Sequence, residues 1–444
     1  MTRQSEETLV CTLTVQDLAG SIDRAFFVSP DNRHIAFLRK EGTRVSVVLD
    51  HSVHGTYDDV IQLIFSPDSK RLAYAARSSG RTVVVVDGAT QGPYDDFYEH
   101  SLLFSPNSAR FVHAAVIAGK HFVVLDGARL GEHDGIQEGT PLFSSDSLRM
   151  AYGVMQENRW SVILDGQTER TFSGVGKLTF SPDCTRLAFK AQEGQSEFLV
   201  LDGVPQTEFD HVDNPQFSDD SVKVAYAARR GVNWFAIIDG HEEGPFKDLY
   251  IREGFLSPRS HRLAYVAKTG NDWFVGPDAQ REGPYEGVYE SSLKFSIDGE
   301  RLAYAVALNR KRFGIVTGKD TRVVVDGAPQ AIYHYVTTLQ FSPDGSRLAY
   351  AARNGPDNIV NLDGTEYGPY QSIGEIKFSP DSVRVAYPAI SHGHQTVVVD
   401  GEDGPSFDVI CVEGGGTVVF DSSTSLHYIA TRGAQFLLVE DTFA

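Results

Sequence analysis

The sequence predicts an all-β protein of the β-propeller class, and three observations support this prediction. Its parts recur at an interval of 37 to 39 residues, which indicates a repeat architecture. Each copy contains four short stretches with strand character, as in Phe65–Tyr94. Both faces of the resulting sheet are apolar, so the copies must stack on one another to keep those faces out of water.

Two independent anchors make the repeat countable along the 444 residues. The first is a Phe-Ser-Pro-Asp turn, whose serine recurs at Ser29, Ser66, Ser105, Ser144, Ser181, Ser218, Ser257, Ser296, Ser342 and Ser379. The second is an aspartate followed seven positions later by a ring, in the pairs Asp50/Tyr57, Asp87/Tyr94, Asp126/His133, Asp165/Phe172, Asp202/Phe209, Asp239/Phe246, Asp278/Tyr285, Asp326/Tyr333, Asp363/Tyr370 and Asp400/Phe407. Because the two anchors keep step, we expect ten copies and an eroded eleventh that begins at Phe420.

One copy shows why four strands are expected. Strand one ends at Phe65, and Ser-Pro-Asp then favours a tight turn because proline presets its φ angle. Strand two is Arg71–Ala76, with bulky side chains on one face and alanines on the other. Strand three is the β-branched run Thr82–Val86, after which Asp-Gly predicts a two-residue hairpin. Strand four ends in Gly-Pro-Tyr, and its proline predicts a position at the outer edge.

The two chain ends predict how the ring closes. The eleventh copy supplies strands at Thr417–Phe420, Leu426–Thr431 and Gln435–Val439 and then stops. A spare strand at Thr8–Val15 precedes the first turn, and we expect it to pair beside Gln435–Val439 and complete the last blade. The prediction is a single large propeller of 10 or 11 four-stranded blades, with residues 1–444 as one domain. Two smaller propellers are the alternative.

The motif Ser-Pro-Asp-x-x-Arg-Leu-Ala-Tyr, followed by Val-Val-Val-Asp-Gly, resembles the bacterial WD40-like repeat of the PD40 or TolB type. The resemblance covers roughly residues 20–440. It implies a β-propeller, and it is specific for fold rather than for function. Members of this family look like protein-interaction modules, substrate gates of peptidases or, occasionally, sugar-active enzymes. The number of copies here exceeds what is usual in that family.

The composition of the chain limits the classes of partner that the protein is expected to bind. The formal net charge of −19 argues against nucleic acid and anionic membrane surfaces, since both require a positive protein surface. The cysteines Cys11, Cys184 and Cys411 have no ligand-like spacing. No apolar run approaches the roughly 18 residues of a membrane span, and the N-terminus lacks the apolar region of a signal peptide. We expect a cytoplasmic protein that is monomeric on its own and binds another protein.

Two recurring features have both a structural and a functional interpretation. The aspartate of Asp-Gly could bind calcium, but one aspartate per copy does not converge on a point, so turn formation is favoured. The ring seven residues later could form an aromatic circle for sugars or cations, but a plug in the wedge between blades is favoured. His392 and His394 make only half a metal site. We therefore expect no metal and no cofactor.

Polar residues just before the phenylalanine of the turn predict a wet central channel, because first strands line the channel of a propeller. The candidate channel-lining residues are Lys177, Gln216, Glu253, Lys294, Gln340, Glu375 and Lys377.

The eighth copy contains a long insertion at residues 308–322, which is the densest basic cluster in this acidic chain. Insertions in repeat proteins lie on the surface and often on the binding face. The insertion is either a docking finger for an acidic partner or an extended hairpin without function. The candidate partner-binding residues are Arg310, Lys311, Arg312, Phe313, Lys319 and Arg322.

No nucleophile elbow, phosphate-binding glycine loop or zinc motif is present in the sequence. We therefore expect a non-enzymatic protein-interaction scaffold. One alternative is a carbohydrate- or peptide-binding propeller related to lyases or hydrolases. The other is a structural or gating subunit of a larger complex.

Overall fold

The computed structural model describes residues 3–12, 26–50, 52–251, 257, 262–277, 281–312, 315–411 and 416–443. These residues form eleven antiparallel sheets, which are the blades of a propeller. The predicted all-β propeller of eleven blades is thereby confirmed. Within the same ranges, no helix has the length and apolar character that crossing a bilayer requires.

Blades 1 to 10 follow one another along the chain, and blade 11 combines both chain ends. The strands of blades 1 to 4 are β2 (Phe26–Val28), β3 (Ile35–Glu41), β4 (Arg44–Leu49), β5 (Ser52–Tyr57); β6 (Asp59–Phe65), β7 (Leu72–Ser78), β8 (Arg81–Val86), β9 (Ala89–Tyr94); β10 (Asp96–Phe97), β11 (Leu103–Phe104), β12 (Phe111–Ile117), β13 (Lys120–Leu125), β14 (Ala128–His133); β15 (Gly135–Ile136), β16 (Leu142–Phe143), β17 (Met150–Gln156), β18 (Arg159–Leu164), β19 (Gln167–Phe172). Those of blades 5 to 8 are β20 (Gly174–Phe180), β21 (Leu187–Glu193), β22 (Ser196–Leu201), β23 (Val204–Phe209); β24 (His211–Val212), β25 (Gln216–Phe217), β26 (Val224–Arg230), β27 (Asn233–Ile238), β28 (His241–Phe246); β29 (Asp248–Tyr250), β30 (Ala264–Thr269), β31 (Asp272–Pro277), β32 (Glu282–Tyr285); β33 (Gly287–Phe295), β34 (Leu302–Arg312), β35 (Ile315–Val325), β36 (Ala328–Tyr333). Those of blades 9 to 11 are β37 (Tyr335–Phe341), β38 (Leu348–Asn354), β39 (Asp357–Leu362), β40 (Thr365–Tyr370); β41 (Ser372–Ile373), β42 (Lys377–Phe378), β43 (Val385–Ser391), β44 (His394–Val399), β45 (Glu402–Asp403); β46 (Val409–Ile410), β47 (Val419–Ser422), β48 (Ser425–Arg432), β49 (Gln435–Phe443), β1 (Arg3–Thr12).

The innermost strand, strand one, is irregular near its middle in most blades. In blades 3, 4, 6, 10 and 11 it consists of two short strands that pair with the same strand two. In blades 2, 5, 8 and 9 it is continuous, but its register shifts in the same region, as between Val60 and Gln62. Such a bulge bends a strand and increases its local twist. Each blade nevertheless has the four strand positions that the sequence predicted.

Strand two shows that both faces of a blade are covered, as the alternation predicted. Leu72 and Tyr74 point to one face and lie in a buried cluster with residues of blade 1. Ala73 and Ala75 point to the other face and lie in a buried cluster with residues of blade 3. The bulky face of each strand two therefore meets the preceding blade, and the small face leaves room for the large side chains of the following blade.

This packing continues around the ring. Buried apolar clusters join each blade to the next in turn from blade 1 to blade 11. A further cluster joins blade 11 to blade 1, where Ile429 and Leu438 pack with Val28 and Ile35. The chain therefore forms one closed ring rather than two smaller ones.

The N-terminal strand closes this ring, as predicted. β1 pairs antiparallel with β49, with Thr8 opposite Leu438 and Thr12 opposite Gln435. The predicted bounds were partly wrong, because the strand begins at Arg3 and is described only to Thr12; residues 13–15 lie outside the described residues. The extra residues pair with the end of β49, which reaches Phe443 rather than Val439.

A buried ion pair fastens this seam. The guanidinium of Arg3 donates to the carboxylate of Asp441 and, at 2.9 Å, to the carbonyl oxygen of Val397 in blade 10. Only 9% of the Arg3 side chain and none of the Asp441 side chain is exposed. The hydroxyl of Ser5 donates to the same carboxylate. One side chain of β1 thus joins blade 11 to blade 10.

The recurring Asp-Gly aspartate has the structural role that was favoured. Asp87 and Gly88 have φ angles of 52° and 82°, as a two-residue hairpin turn of type I′ requires. The Asp87 carboxylate accepts hydrogen bonds from Arg71 Nε at 2.8 Å and from the Leu72 N–H at 3.2 Å. Arg71 Nη1 also donates to the carbonyl oxygen of Ser108 in blade 3 at 2.8 Å. The pair of Arg71 and Asp87 therefore connects two turns of blade 2, and Arg71 also connects blade 2 to blade 3.

The ring that follows each aspartate plugs the wedge between blades, as favoured from the sequence. In nine of the ten copies it meets the central ring of strand two in the next blade, with centroids 5.4 to 6.4 Å apart. The pairs are Tyr57–Tyr74, Tyr94–His113, His133–Tyr152, Phe172–Phe189, Phe246–Tyr265, Tyr285–Tyr304, Tyr333–Tyr350, Tyr370–Tyr387 and Phe407–Tyr428.

His113 departs from this aromatic series. It occupies the position of Tyr74, is fully buried, and lies with Nε2 3.2 Å from the hydroxyl oxygen of Tyr94. Burial lowers its pKa to about 3 from an ordinary value of 6.5. Burial also lowers the pKa of His133 in the next wedge. The folded protein therefore holds His113 neutral where the unfolded chain would protonate it.

Replacing Asp441 with alanine should destabilise the protein by about 3 to 5 kcal/mol, because Arg3 would keep a buried charge without its partner. The matched control is Glu7→Ala on the same strand, which removes an exposed pair with Arg432 and should cost less than about 1 kcal/mol. Urea-induced unfolding measures both. A cost for Asp441→Ala no larger than that for Glu7→Ala would contradict the role given to the buried pair.

The substitution His113→Tyr should make stability less dependent on pH. Because the folded pKa lies below the unfolded one, the stabilisation from neutral His113 is complete above pH 6.5 and is lost as the pH falls toward 3. Between pH 7.5 and pH 5 the wild type should lose about 2 kcal/mol more than the variant in free energy of unfolding. His241→Tyr, at an exposed position, is the control. Parallel pH profiles for all three proteins would refute this account.

Candidate functional site

The insertion in the eighth copy forms a protruding β-hairpin. β34 and β35 are each 11 residues long, whereas the corresponding strands of blade 2 have 7 and 6 residues. Their pairing continues to Arg312 opposite Ile315. Phe313 and Gly314, between the strands, lie outside the described residues.

The register shows where the hairpin leaves the blade. Leu308 lies opposite Asp320, in the place where blade 2 has Ser78 opposite Arg81 and then turns. Residues 309–319 therefore extend beyond the regular blade, and we call this segment the blade 8 hairpin. It carries the backbone of four of the candidate partner-binding residues, namely Arg310, Lys311, Arg312 and Lys319.

Arg322 lies elsewhere. It pairs with Val306 and Ile332 inside the regular part of blade 8, and its side chain is half-buried. Arg322 Nε is buried and donates to no acceptor among the described residues. The structure therefore places Arg322 in the body of the blade and apart from the blade 8 hairpin.

The base of the blade 8 hairpin is held by a carboxylate. Glu286, at the end of the connection from blade 7, accepts a hydrogen bond from the N–H of Asn309. Other blades use the same device at the turn between strands two and three: Asp58 accepts from the Ser79 N–H at 2.7 Å and Asp95 from the Ala118 N–H at 2.6 Å. The hairpin thus leaves the blade from a fixed point.

Two aromatic pairs lie near the same end of blades 7, 8 and 9. In blade 7, Tyr250 stacks on Trp273 with centroids 5.8 Å apart, and Lys268 Nζ lies 4.9 Å from the Trp273 ring centre. Tyr289 of blade 8 and Tyr335 of blade 9 make an edge contact at 6.4 Å. Tyr335 is 52% exposed. We call these four aromatic residues the aromatic patch.

Sequence reasoning missed the aromatic patch, although a signal was present. All three tryptophans, Trp160, Trp234 and Trp273, occupy the second position of strand three in their blades. That position adjoins the turn between strands two and three, which marks one end of the propeller. Aligning the copies at this position, rather than at the two anchors alone, would have indicated aromatic character at this end.

Four of the seven candidate channel residues occupy equivalent positions on strand one. Gln216, Lys294, Gln340 and Lys377 each lie opposite the alanine of strand two in their own blade. Lys177 is exposed on β20, and Glu253 lies outside the described residues. The register therefore puts four of these residues at one level of the ring.

The structure brings four candidate channel residues together in one cleft of about 420 Å³ between the first strands of blades 8, 9 and 10. They are Lys294, Gln340, Glu375 and Lys377. Lys377 Nζ lies 2.7 Å from Glu375 Oε1. Lys177 in blade 5 and Gln216 in blade 6 do not line this cleft.

A carboxylate–histidine cluster lies in blades 5 and 6. His211 lies between two carboxylates, with Nδ1 3.0 Å from Glu197 Oε2 and Nε2 3.1 Å from Asp213 Oδ1. Lys190 Nζ is 3.3 Å from the same Glu197 oxygen. Both ring nitrogens of His211 thus lie within hydrogen-bonding distance of a carboxylate, and the cluster connects blade 5 to blade 6. No group of three or more histidine, cysteine or acidic residues suited to a metal occurs in the ranges that the structure describes.

Comparison with known proteins found similar solved structures, all of low identity. No family model and no curated protein matches the chain. The chain is similar to the solved structure of TolB from Acinetobacter baumannii, with 14% identity over 49% of this chain and 61% of that chain and a TM-score of 0.26. It thus covers less than two thirds of the length of TolB. It is also similar to the Dos1 propeller, with 13% identity over 86% of this chain and 91% of that chain and a TM-score of 0.34.

A third similar structure is the β-propeller domain of the trilobed protease from Pyrococcus furiosus, with 12% identity over 68% of this chain and 94% of that chain and a TM-score of 0.25. The structure itself has the β-propeller fold that the resemblance to TolB-type and WD40-like repeats implied. Scores and identities this low carry no argument about activity or partners.

Proposed function

We propose that this protein is a non-enzymatic protein-interaction platform and that its blade 8 hairpin docks an acidic partner protein. The observation that carries the proposal is the register of β34 and β35, which extends residues 309–319 beyond an otherwise regular ring. The other copies form regular blades without such an extension, so residues 309–319 are not needed for blade packing. An exposed feature that the fold does not require is a candidate for binding.

The charge of the blade 8 hairpin favours an acidic partner. Arg310, Lys311, Arg312 and Lys319 are concentrated there, while the chain as a whole has a net charge of −19. The rest of the protein repels an acidic partner, so the hairpin directs its approach. Electrostatic complementarity of this kind raises association rates and selects orientation.

The aromatic patch supports a protein partner rather than a simple anion. Tyrosine, tryptophan and arginine are the residue types that contribute most to binding energy at protein interfaces. Tyr250, Trp273, Tyr289 and Tyr335 lie in blades 7 to 9, on both sides of the hairpin base and at its end of the ring. Together, the hairpin and the patch supply both a charged and an aromatic component of an interface.

The triple substitution Arg310→Ala, Lys311→Ala and Arg312→Ala should weaken binding of the native partner at least about tenfold, which corresponds to about 1.4 kcal/mol. The partner is identified by affinity purification from the source organism with mass spectrometry, and binding of the purified pair is then measured at low and physiological salt. The wild-type affinity should fall with added salt, and this salt dependence should be weaker in the variant.

The control is Arg33→Ala with Lys70→Ala, at turns between strands one and two on the opposite end of the ring. This pair of substitutions should leave the affinity within twofold of the wild type. Equal capture by the triple variant and the wild type would remove the docking role of the hairpin. Turnover of a substrate by the purified protein would instead contradict the non-enzymatic part of the proposal.

A further inference from the structure

The cleft between the first strands of blades 8, 9 and 10 has the chemistry of a binding site for an organic anion. Its polar side chains are Lys294, Gln340, Glu375 and Lys377. Its apolar lining is supplied by Phe295, Ile297, Phe341, Ile376 and Phe378. A concave site with an apolar lining and a few convergent polar groups is the usual form of a small-ligand site.

The repeat itself shows that the fold does not require these lysines. In blades 1 to 4, the equivalent position on strand one is apolar in every case: Phe27, Ile64, Leu103 and Leu142. In the other blades where the structure describes this position, it holds Thr179, Gln216, Lys294, Gln340, Lys377 and Val419. The opposing residue of strand two is alanine in nearly all of these blades, so the backbone register is the same. The two cationic residues at this position, Lys294 and Lys377, therefore lie in blades 8 and 10, on one side of the channel.

The two lysines are available to a ligand. Lys294 is exposed and forms no ion pair with any residue that the structure describes. Lys377 pairs with Glu375, but 62% of the Glu375 side chain is exposed, and a pair in that setting contributes little. A ligand carboxylate can replace Glu375 as the partner of Lys377 at small cost. Two ammonium groups at one cleft then favour a ligand with at least one negative charge.

Because the lining of the cleft is apolar, a matching ligand also carries a hydrophobic group next to its negative charge. Phe295 and Phe378 are half-buried and Ile297 is 47% exposed, so apolar surface remains open in the cleft. The Arg347 guanidinium lies 5.9 Å from the Phe378 ring centre and supports that ring. Inorganic anions would satisfy the lysines but would leave this surface in water. An amphipathic carboxylate satisfies both parts.

We propose that this cleft binds a carboxylate attached to an apolar or aromatic group, with Lys294 and Lys377 holding the carboxylate. Two sources share this chemistry: a small organic acid, and the C-terminal residue of a peptide chain. The cleft adjoins Ser342 and Pro343, in the turn between strands one and two, whereas the blade 8 hairpin extends from the turn between strands two and three. The cleft and the hairpin are thus at opposite ends of the ring, and this site stands independently of the proposed docking function.

The test uses the whole protein and the fluorescent aromatic anion 8-anilinonaphthalene-1-sulfonate, with uncharged N-phenyl-1-naphthylamine as the comparison probe. In the double variant Lys294→Gln and Lys377→Gln, affinity for the anion should fall at least tenfold, while affinity for the neutral probe stays within twofold. Lys177→Gln, at an exposed lysine on strand one of blade 5, should leave both affinities within twofold. Thermal unfolding confirms that the variants are folded.

Competition then separates the two sources. N-acetylphenylalanine and a hexapeptide ending in phenylalanine are each compared with their C-terminal amides as displacers of the bound anion. Displacement by both free acids identifies a site open to small organic acids, and displacement by the peptide acid alone identifies a C-terminus. Equal displacement by acids and amides, or unchanged affinity of the anion for the double variant, would overturn the proposal.

Discussion

The whole structure depends on the fact that each blade has two apolar faces. A single sheet of this kind cannot exist in water, because both Leu72 on one face and Ala73 on the other are withdrawn from solvent only by neighbouring blades. Each blade therefore stabilises two others, and an unclosed row would always leave two faces exposed. The pairing of β1 with β49 satisfies this constraint, because it completes the sheet that meets blade 1.

The same constraint explains which parts of the repeat vary. The Asp87–Arg71 pair and the ring in each wedge hold one blade against the next, so they recur with little change. Positions that face neither neighbour are under no such demand. The blade 8 hairpin and the lysines of the channel cleft occur at such positions. In a repeat protein, each copy serves as the reference for the others, and a departure that packing does not explain points to binding.

The sequence was sufficient for the ring and insufficient for the sites, and the reason is physical. Turn residues, strand alternation and the spare strand at Thr8–Val15 are local or periodic signals, so blade number and closure could be predicted from them. Whether side chains from different blades share one site is not a local property of the sequence. Whether Lys294 and Lys377 share a cleft, while Lys177 does not, depends on register and on the angle between blades. Arg322 illustrates the same limit, because only the pairing with Val306 separates it from the basic residues that extend beyond the blade.

Because the ring of blades is closed and rigid, its two ends can act separately. A strand in one blade contributes to one end through the turn between strands one and two, and to the other end through the turn between strands two and three. Blade 8 does both, since β33 ends at the cleft and β34 continues into the hairpin. Because each wedge is filled by rings such as Tyr285 and Tyr304, one blade cannot tilt without opening its neighbours. Occupancy of one end should therefore leave the geometry of the other unchanged, so the two proposed sites, at opposite ends of the ring, should bind their ligands independently.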